Sequence, residues 1–248
     1  LATKEKEDQA QRVAEFMNYQ MMHVMEEYDP ELDQMLFYLP LSGSTFKKIY
    51  YDSNLGRAVS KFVPSEDLVV PYSATNLEEC ERVTHVLKRT ENDIKKMQVT
   101  GFYRDIVLQP SEEDQNKVEE KERKLSGVEK NSYKDDQYTL LEMHVDLDVE
   151  GFEHPDGIKL PYIVTIDEGS GEVLSIYRNY DQEDNLFKKQ QYFVHYKFMP
   201  GLGFYGLGLI HMIGGLSRTA TAALRQLIDA GTLANLPAGF KARGLRVA

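Results

Sequence analysis

The stretch FMPGLGFYGLGLIHMIGGLS, Phe198 to Ser217, is twenty residues without a charged side chain, and its reading decides the fold. A polar helical pattern follows, RTATAALRQLID from Arg218 to Asp229. Gly231 and Thr232 stop it, and a basic coda comes next, LANLPAGFKARGLRVA from Leu233 to Ala248. Three readings compete for this block: a membrane span, a dinucleotide loop, and a long packing helix.

About twenty apolar residues suffice to cross a bilayer core. Six of these twenty are glycine, with Pro200 and His211 among the rest. Glycine costs roughly 1 kcal/mol per helical position against alanine. Gly206 to Gly214 could supply a small-residue packing motif, but no basic cluster or tryptophan belt flanks the run, and the chain has no Trp. The dinucleotide reading rests on Gly201, Gly203 and Gly206. They match G-x-G-x-x-G after a plausible strand, Tyr192 to Phe198, and before a helix. That fingerprint needs a second parallel strand ending in an acid about twenty residues on. The nearest acid, Asp229, sits on the helix itself, and none follows it to Ala248.

The packing helix fits best. Phe204, Leu207, His211, Gly215, Arg218 and Ala222 follow three- and four-residue steps. So do Leu209, Met212, Leu216, Ala220, Leu224 and Leu227. Small residues, Gly214 and Gly215 among them, allow close approach of neighbouring backbones. Such a helix, expected from Phe204 to about Ala230, packs against copies of itself; the subunit contacts fall on Phe204, Leu207, His211, Gly214, Gly215 and Ala222.

Upstream, helical steps run from Ala10 through Val13, Met17, Met21 and Val24 to Tyr28, with acids on the other face. Asp29-Pro30 opens a second helix to about Leu39. Ser42-Gly43-Ser44 reads as a helix-to-strand turn. Thr45 to Tyr51 and Ala58 to Val63 form a hairpin around Asp52–Gly56, and Arg82 to Lys88 is a further strand. Thr90 caps a short helix that Gly101 stops. SEEDQNKVEEKERK, Ser111 to Lys124, reads as a solvated helix or partly disordered excursion. Strands follow at Tyr138 to Val149, Leu160 to Asp167 and Glu172 to Tyr180, the last two a hairpin. The fold class is α+β.

One strand carries a chemical temptation. Period two puts Glu142, His144, Asp146, Asp148 and Glu150 on one face, and Leu141, Met143, Val145, Leu147 and Val149 on the other. A histidine among carboxylates could bind a hard divalent cation if a second element contributed. A half-buried strand with a polar solvent face explains the same alternation, and no metal site is expected. No nucleophile elbow, phosphate loop, zinc-helix motif or Cys-x-x-Cys occurs, so no catalytic residue and no cofactor are expected. His85, His195 and His211 lie in apolar patterns and read as core histidines.

The 248 residues allow one large or two small domains. The single cysteine, Cys80, excludes an internal disulfide and fits a reducing compartment. Net charge is −11, unevenly spread. Residues 200 to 248 hold five bases (Arg218, Arg225, Lys241, Arg243, Arg246) and one acid, Asp229, so +4; the other 199 residues carry −15. An acidic body with a mildly basic end is no tight DNA binder.

The run YGLGLIHMIGGLSRTATAALRQLIDAGTLANLPAGFKARGLR, Tyr205 to Arg246, resembles the stem helix and the start of the clip in bacteriophage portal proteins, the head-to-tail connectors of tailed double-stranded DNA phages. Arg12 to Tyr19, Gly43 to Asp52, Phe62 to Tyr72 and Arg82 to Met97 are similar to successive blocks of the portal wing. The resemblance implies a portal-like wing of N-terminal helices and antiparallel strands over residues 1–199, a stem helix over 200–232, and the start of a clip over 233–248. With no initiator Met and a stop inside the clip-like segment, the sequence reads as an internal fragment of a longer chain.

It further implies a homo-oligomer, a dodecameric ring in this family, through which double-stranded DNA is packaged and ejected. Terminase large subunit, capsid and scaffolding proteins and tail adaptors are the expected partners, without a membrane. The place is the portal vertex of the virion, after assembly in the host cytoplasm. Lys241, Arg243, Arg246, Arg218 and Arg225 are the candidates for the DNA channel or motor docking. The competing classes are a nucleotide- or metal-dependent enzyme using the Gly201–Gly206 loop or the His144/Asp146 strand face, and a membrane-active viral protein using residues 198–217.

Overall fold

The structure is a computed structural model that describes residues 4–53, 55–108 and 137–235. Helix α1, Lys4–Tyr19, ends in one wider π turn, Gln20–Val24, closed by the Met25 N–H donating to the Gln20 carbonyl at 2.9 Å. Helix α2 is Tyr28–Ser42. The expected continuous helix to Tyr28 is therefore broken at Met25, whose ψ of 81° is not helical. The break lets Glu27 reach back to the body, where Arg57 binds its carboxylate at 2.6 and 2.8 Å.

Strands β1, Ser44–Asp52, and β2, Arg57–Pro64, form the expected hairpin. A two-residue strand β3, Leu68–Val69, precedes β4, Arg82–Thr90. Helix α3, Glu91–Val99, begins where Thr90 accepts from the Asp93 N–H at 3.3 Å, and Gly101, at φ +74°, follows it. Strands β5, Gln137–Leu147, β6, Leu160–Asp167, and β7, Val173–Arg178, form a meander. Strand β8, Phe193–Lys197, leads to helix α4, Leu209–Asn235. The charge-dense segment Ser111 to Lys124 lies outside the described residues.

Two antiparallel sheets result, in orders β2-β1-β8 and β3-β4-β5-β6-β7. Helix α2 covers one face of the first: Lys47 Nζ sits 4.3 Å from the Tyr28 ring centroid, and Tyr38 packs on Phe62. The other face meets the second sheet. Phe46, Val63 and Phe193 pack there with Leu68 and Val83, and loops add Leu77, Cys80 and Phe204. A second cluster lies under α3, with Ile94, Tyr103, Tyr138 and Leu140. A third, on the far face, holds Leu160, Tyr162 and Val164 with Met143 and Leu147 packed on it.

This sandwich corrects the reading of β5. Its polar row does not face solvent: Leu140 and His144 are buried, and Glu142 is nearly so. The reason is Lys48 on β1. Its ammonium crosses the gap between the sheets and binds Glu142 at 2.5 and 2.7 Å. A strand can bury an acid only with a partner present, and here that partner comes from 94 residues upstream. The row turns polar and exposed only at Asp146, Asp148 and Glu150.

Candidate assembly helix and the glycine joint at its base

Helix α4 spans 27 residues, about 40 Å at 1.5 Å per residue. All are exposed except Gly214, which is half-buried. The helix meets the rest of the chain at its first turn, beside the end of α2. The base of the helix is a joint made almost wholly of backbone.

Gly43 ends α2 at φ +87°, a conformation that favours glycine, and its N–H donates to the Leu39 carbonyl at 2.9 Å. A Cβ on Gly43 would overlap the Gly208 nitrogen and the Leu207 carbonyl carbon. A Cβ on Gly206 would lie 2.8 Å from the Met199 carbonyl oxygen, and one on Gly208 would overlap the Leu41 carbonyl. The two chains thus pass at backbone contact. Hydrogen bonds lock the crossing. The Gly206 N–H donates to Ser44 Oγ at 2.7 Å, the Phe198 N–H to the Gly43 carbonyl at 3.0 Å, and the Leu207 N–H to the Met199 carbonyl at 2.8 Å.

This joint explains the glycine run. Gly206 and Gly208 are required for close approach to α2, whereas Gly203 faces open space. Sequence reasoning took Ser42-Gly43-Ser44 as a turn but missed its pairing with Gly206 and Gly208. The signal was a glycine between two serines, placed after a helix and matched only 160 residues later.

The residues expected to pack between subunits separate into three places. Phe204 lies in the chain's own core at 6% exposure, stacked 6.0 Å from Phe46 and 4.8 Å from His195. Leu207 precedes the helix and bridges to Met199, so α4 begins five residues later than the expected Phe204; it also runs on through the expected stop at Gly231 and Thr232 to Asn235. His211 is not a core histidine: it is exposed in the first turn, where Nδ1 accepts from the Gly208 N–H at 3.1 Å. Gly214, Gly215 and Ala222 lie on α4 proper. By the 3.6-residue period, Gly215 and Ala222 share a face with Arg218, Arg225 and Asp229. The opposite face is an apolar seam, Leu209, Ile213, Leu216, Ala220, Ala223 and Leu227, stepping alternately by four and three. Leu216 and Leu227 are 72% and 69% exposed. Lys241, Arg243 and Arg246 lie outside the described residues.

The other two expected histidines are interior. His85 is buried, its Nδ1 without a hydrogen-bond partner, and burial with the nearby Lys48 charge pushes its pKa down to about 4. Desolvation and Lys197 bring His195 down to about 4. Burial would raise Glu142, but a 2.9 Å hydrogen bond to His144 Nε2 and the Lys48 pair hold it well below the usual carboxylate range. Glu142 and His144 thus serve an ion-paired interior cluster, while Asp146 is exposed. Among the described residues, no three metal-type side chains gather.

The dinucleotide reading fails on topology. Strand β8 pairs antiparallel with β1, both sheets are antiparallel throughout, and of the three fingerprint glycines Gly206 is used against the end of α2 while Gly201 packs on its own loop at Tyr205. Residues 198–217 are a bridged loop after β8 and the first third of α4 rather than one span. Among the described residues, no helix is long and apolar enough to cross a membrane.

An α+β body carrying one long uncovered helix, held stiffly at its base, is the architecture of an assembly subunit. The chain matches the family model of the phage SU10 portal protein over residues 3–244, and it belongs to that portal protein family. No curated protein matches it. The family is structural rather than enzymatic, and it implies oligomeric assembly with capsid and packaging components at the portal vertex of a virion.

Proposed function

We propose that the chain is the wing and stem of a portal ring subunit, and that copies of α4 line up side by side around a channel for double-stranded DNA. The observation that carries this reading is α4 itself: 27 residues with an apolar seam on one side, charges on the other, and no cover along most of its length. An exposed seam of that length is stable in water only when it meets other protein surface. Ring packing takes two faces of each helix. The seam through Leu216 and Leu227 meets one neighbour, and Gly214, Gly215 and Ala222 admit the other. Arg218 and Arg225, two turns apart on the same face as Gly215 and Ala222, flank that contact, and their long side chains reach past it toward the channel. Their low density suits a conduit, because many phosphate contacts would hold a moving duplex.

Residues 233–248 begin the clip in this reading, and Lys241, Arg243 and Arg246 guide DNA or dock the terminase large subunit; tail adaptors and capsid or scaffolding proteins are the further partners. The ring is dodecameric, as the family resemblance implies. Electron microscopy of the purified chain tests the reading by counting subunits. Closed rings with α4 on the inner wall are the expected result; monomers at all concentrations, or α4 on the outside, would overturn it.

A further inference from the structure

Between the two sheets lies a groove of about 480 Å³ that the assembly reading does not use. Its floor is the Lys48–Glu142–His144 cluster. Its walls are aromatic: Phe102 and Tyr177 stack with centroids 5.0 Å apart and an interplanar angle of 24°. The volume lies within the range of small-ligand pockets.

Three donors in this groove have no hydrogen-bond or ion-pair partner among the described residues: the Arg89 guanidinium, the Tyr50 hydroxyl and the Tyr103 hydroxyl. Tyr103 is only 8% exposed. Its hydroxyl is not among the fully buried polar atoms and opens on the groove, where a ligand acceptor can reach it. The three come from β4, β1 and the segment after α3. Arg89 stands in register with Tyr138 on the face of β4 that also carries His85 opposite Glu142. The other charged groups have contacts of their own. Lys48 is paired with Glu142, Arg178 lies over the Phe152 ring at 5.5 Å, and Asp52 accepts from the Leu55 N–H in the hairpin turn. Of the lining groups, Lys48, Arg89 and Arg178 are cationic and Asp52 and Glu142 anionic, a net of one positive charge.

We propose that this groove binds a carboxylate, its oxygens taken by Arg89, Tyr50 and Tyr103 and its apolar body laid along Phe102 and Tyr177. A monoanion matches the net single positive charge of the lining, and a planar carboxylate suits the Arg89 fork. A phosphate dianion would bring a second negative charge toward Glu142. Burial raises both phenols, Tyr103 to about 12, so both hydroxyls keep their protons as donors, and the Arg89 charge opposes that rise at each. The carboxylate belongs either to a free organic acid or to an acidic residue beside an aromatic one in a polypeptide.

Calorimetry on the whole chain tests this with 4-phenylbutyrate, its neutral amide, phenyl phosphate, and the capped peptide acetyl-Gly-Phe-Glu-Gly-amide. Saturable binding of 4-phenylbutyrate or of the peptide is expected at millimolar Kd or tighter, with the amide at least tenfold weaker. Arg89→Gln should weaken the carboxylates tenfold or more and Tyr103→Phe several-fold, while Arg12→Gln on the exposed α1 leaves that binding unchanged. Should Arg89→Gln fail to fold by circular dichroism, Tyr103→Phe and Tyr50→Phe, which keep their rings, carry the test. Peptide binding tenfold tighter than 4-phenylbutyrate assigns a polypeptide source, and the reverse a free acid; both uphold the site. Equal affinity for acid and amide, no saturable carboxylate binding, tighter phenyl phosphate, or a folded Arg89→Gln that binds normally would overturn it. None of these readouts depends on ring formation.

Discussion

Gly43 shows how much a missing side chain can specify. Alanine there would hold a strained positive φ, about 1–3 kcal/mol, and would press into the Leu207–Gly208 backbone, about 1–3 kcal/mol more. Gly43→Ala is therefore expected to lose about 2–6 kcal/mol in urea unfolding, whereas Gly203→Ala, which faces open space, should stay within about 0.5 kcal/mol of wild type. The buried histidines set the acid behaviour. His85 and His195 are held near 4 when folded and return to about 6.5 when unfolded. The unfolded chain then binds more protons between these values, so stability is full above about pH 6.5 and falls toward pH 4. Glu142, held low, adds loss below its ordinary range and so has the same sign. For the well-buried His85 alone the fall is about 3 kcal/mol. The urea midpoint should drop steadily from pH 7 to pH 4.5, and His85→Gln should flatten part of that slope.

At the scale of elements, sequence legibility followed locality. The β6 limits, the Thr90 cap of α3 and the β1–β2 hairpin were readable because each is decided by neighbouring residues. The two-residue β3 was not, since it exists only through pairing with β4. The alternation of β5 was visible, but its inward face was not, because Lys48 decides it from another sheet. Glu142→Gln should therefore cost about 3–5 kcal/mol by leaving a buried ammonium unpaired. The double change Lys48→Met with Glu142→Leu should recover most of that, and a double-mutant cycle in urea measures both. Gly215 is the corresponding probe on α4. A side chain there meets nothing within 4 Å in the same chain. Gly215→Leu should leave the urea midpoint within about 0.5 kcal/mol and yet block assembly, read by sedimentation. Normal rings from that variant would remove Gly215 from the subunit contact.

The whole molecule divides its labour by charge and by cover: an acidic, well-packed body, and a mildly basic end whose described helix, α4, lies bare. The triple change Lys241→Ala, Arg243→Ala and Arg246→Ala tests the basic end. It is expected to reduce DNA packaging in a complete virion system while leaving the thermal transition of the body unchanged; unaltered packaging would take these residues out of the channel or docking role. In a closed ring every subunit repeats the same angular error, so deviations add around the circle instead of averaging away. The joint at Gly43, Gly206 and Gly208 offers no rotamers, and a hinge without rotamers has few ways to be wrong. What looked in the sequence like floppiness, a run dense in glycine, works as a tolerance device: it sets the pitch of a 40 Å lever arm (about 1.5 Å per residue) as finely as backbone contact allows.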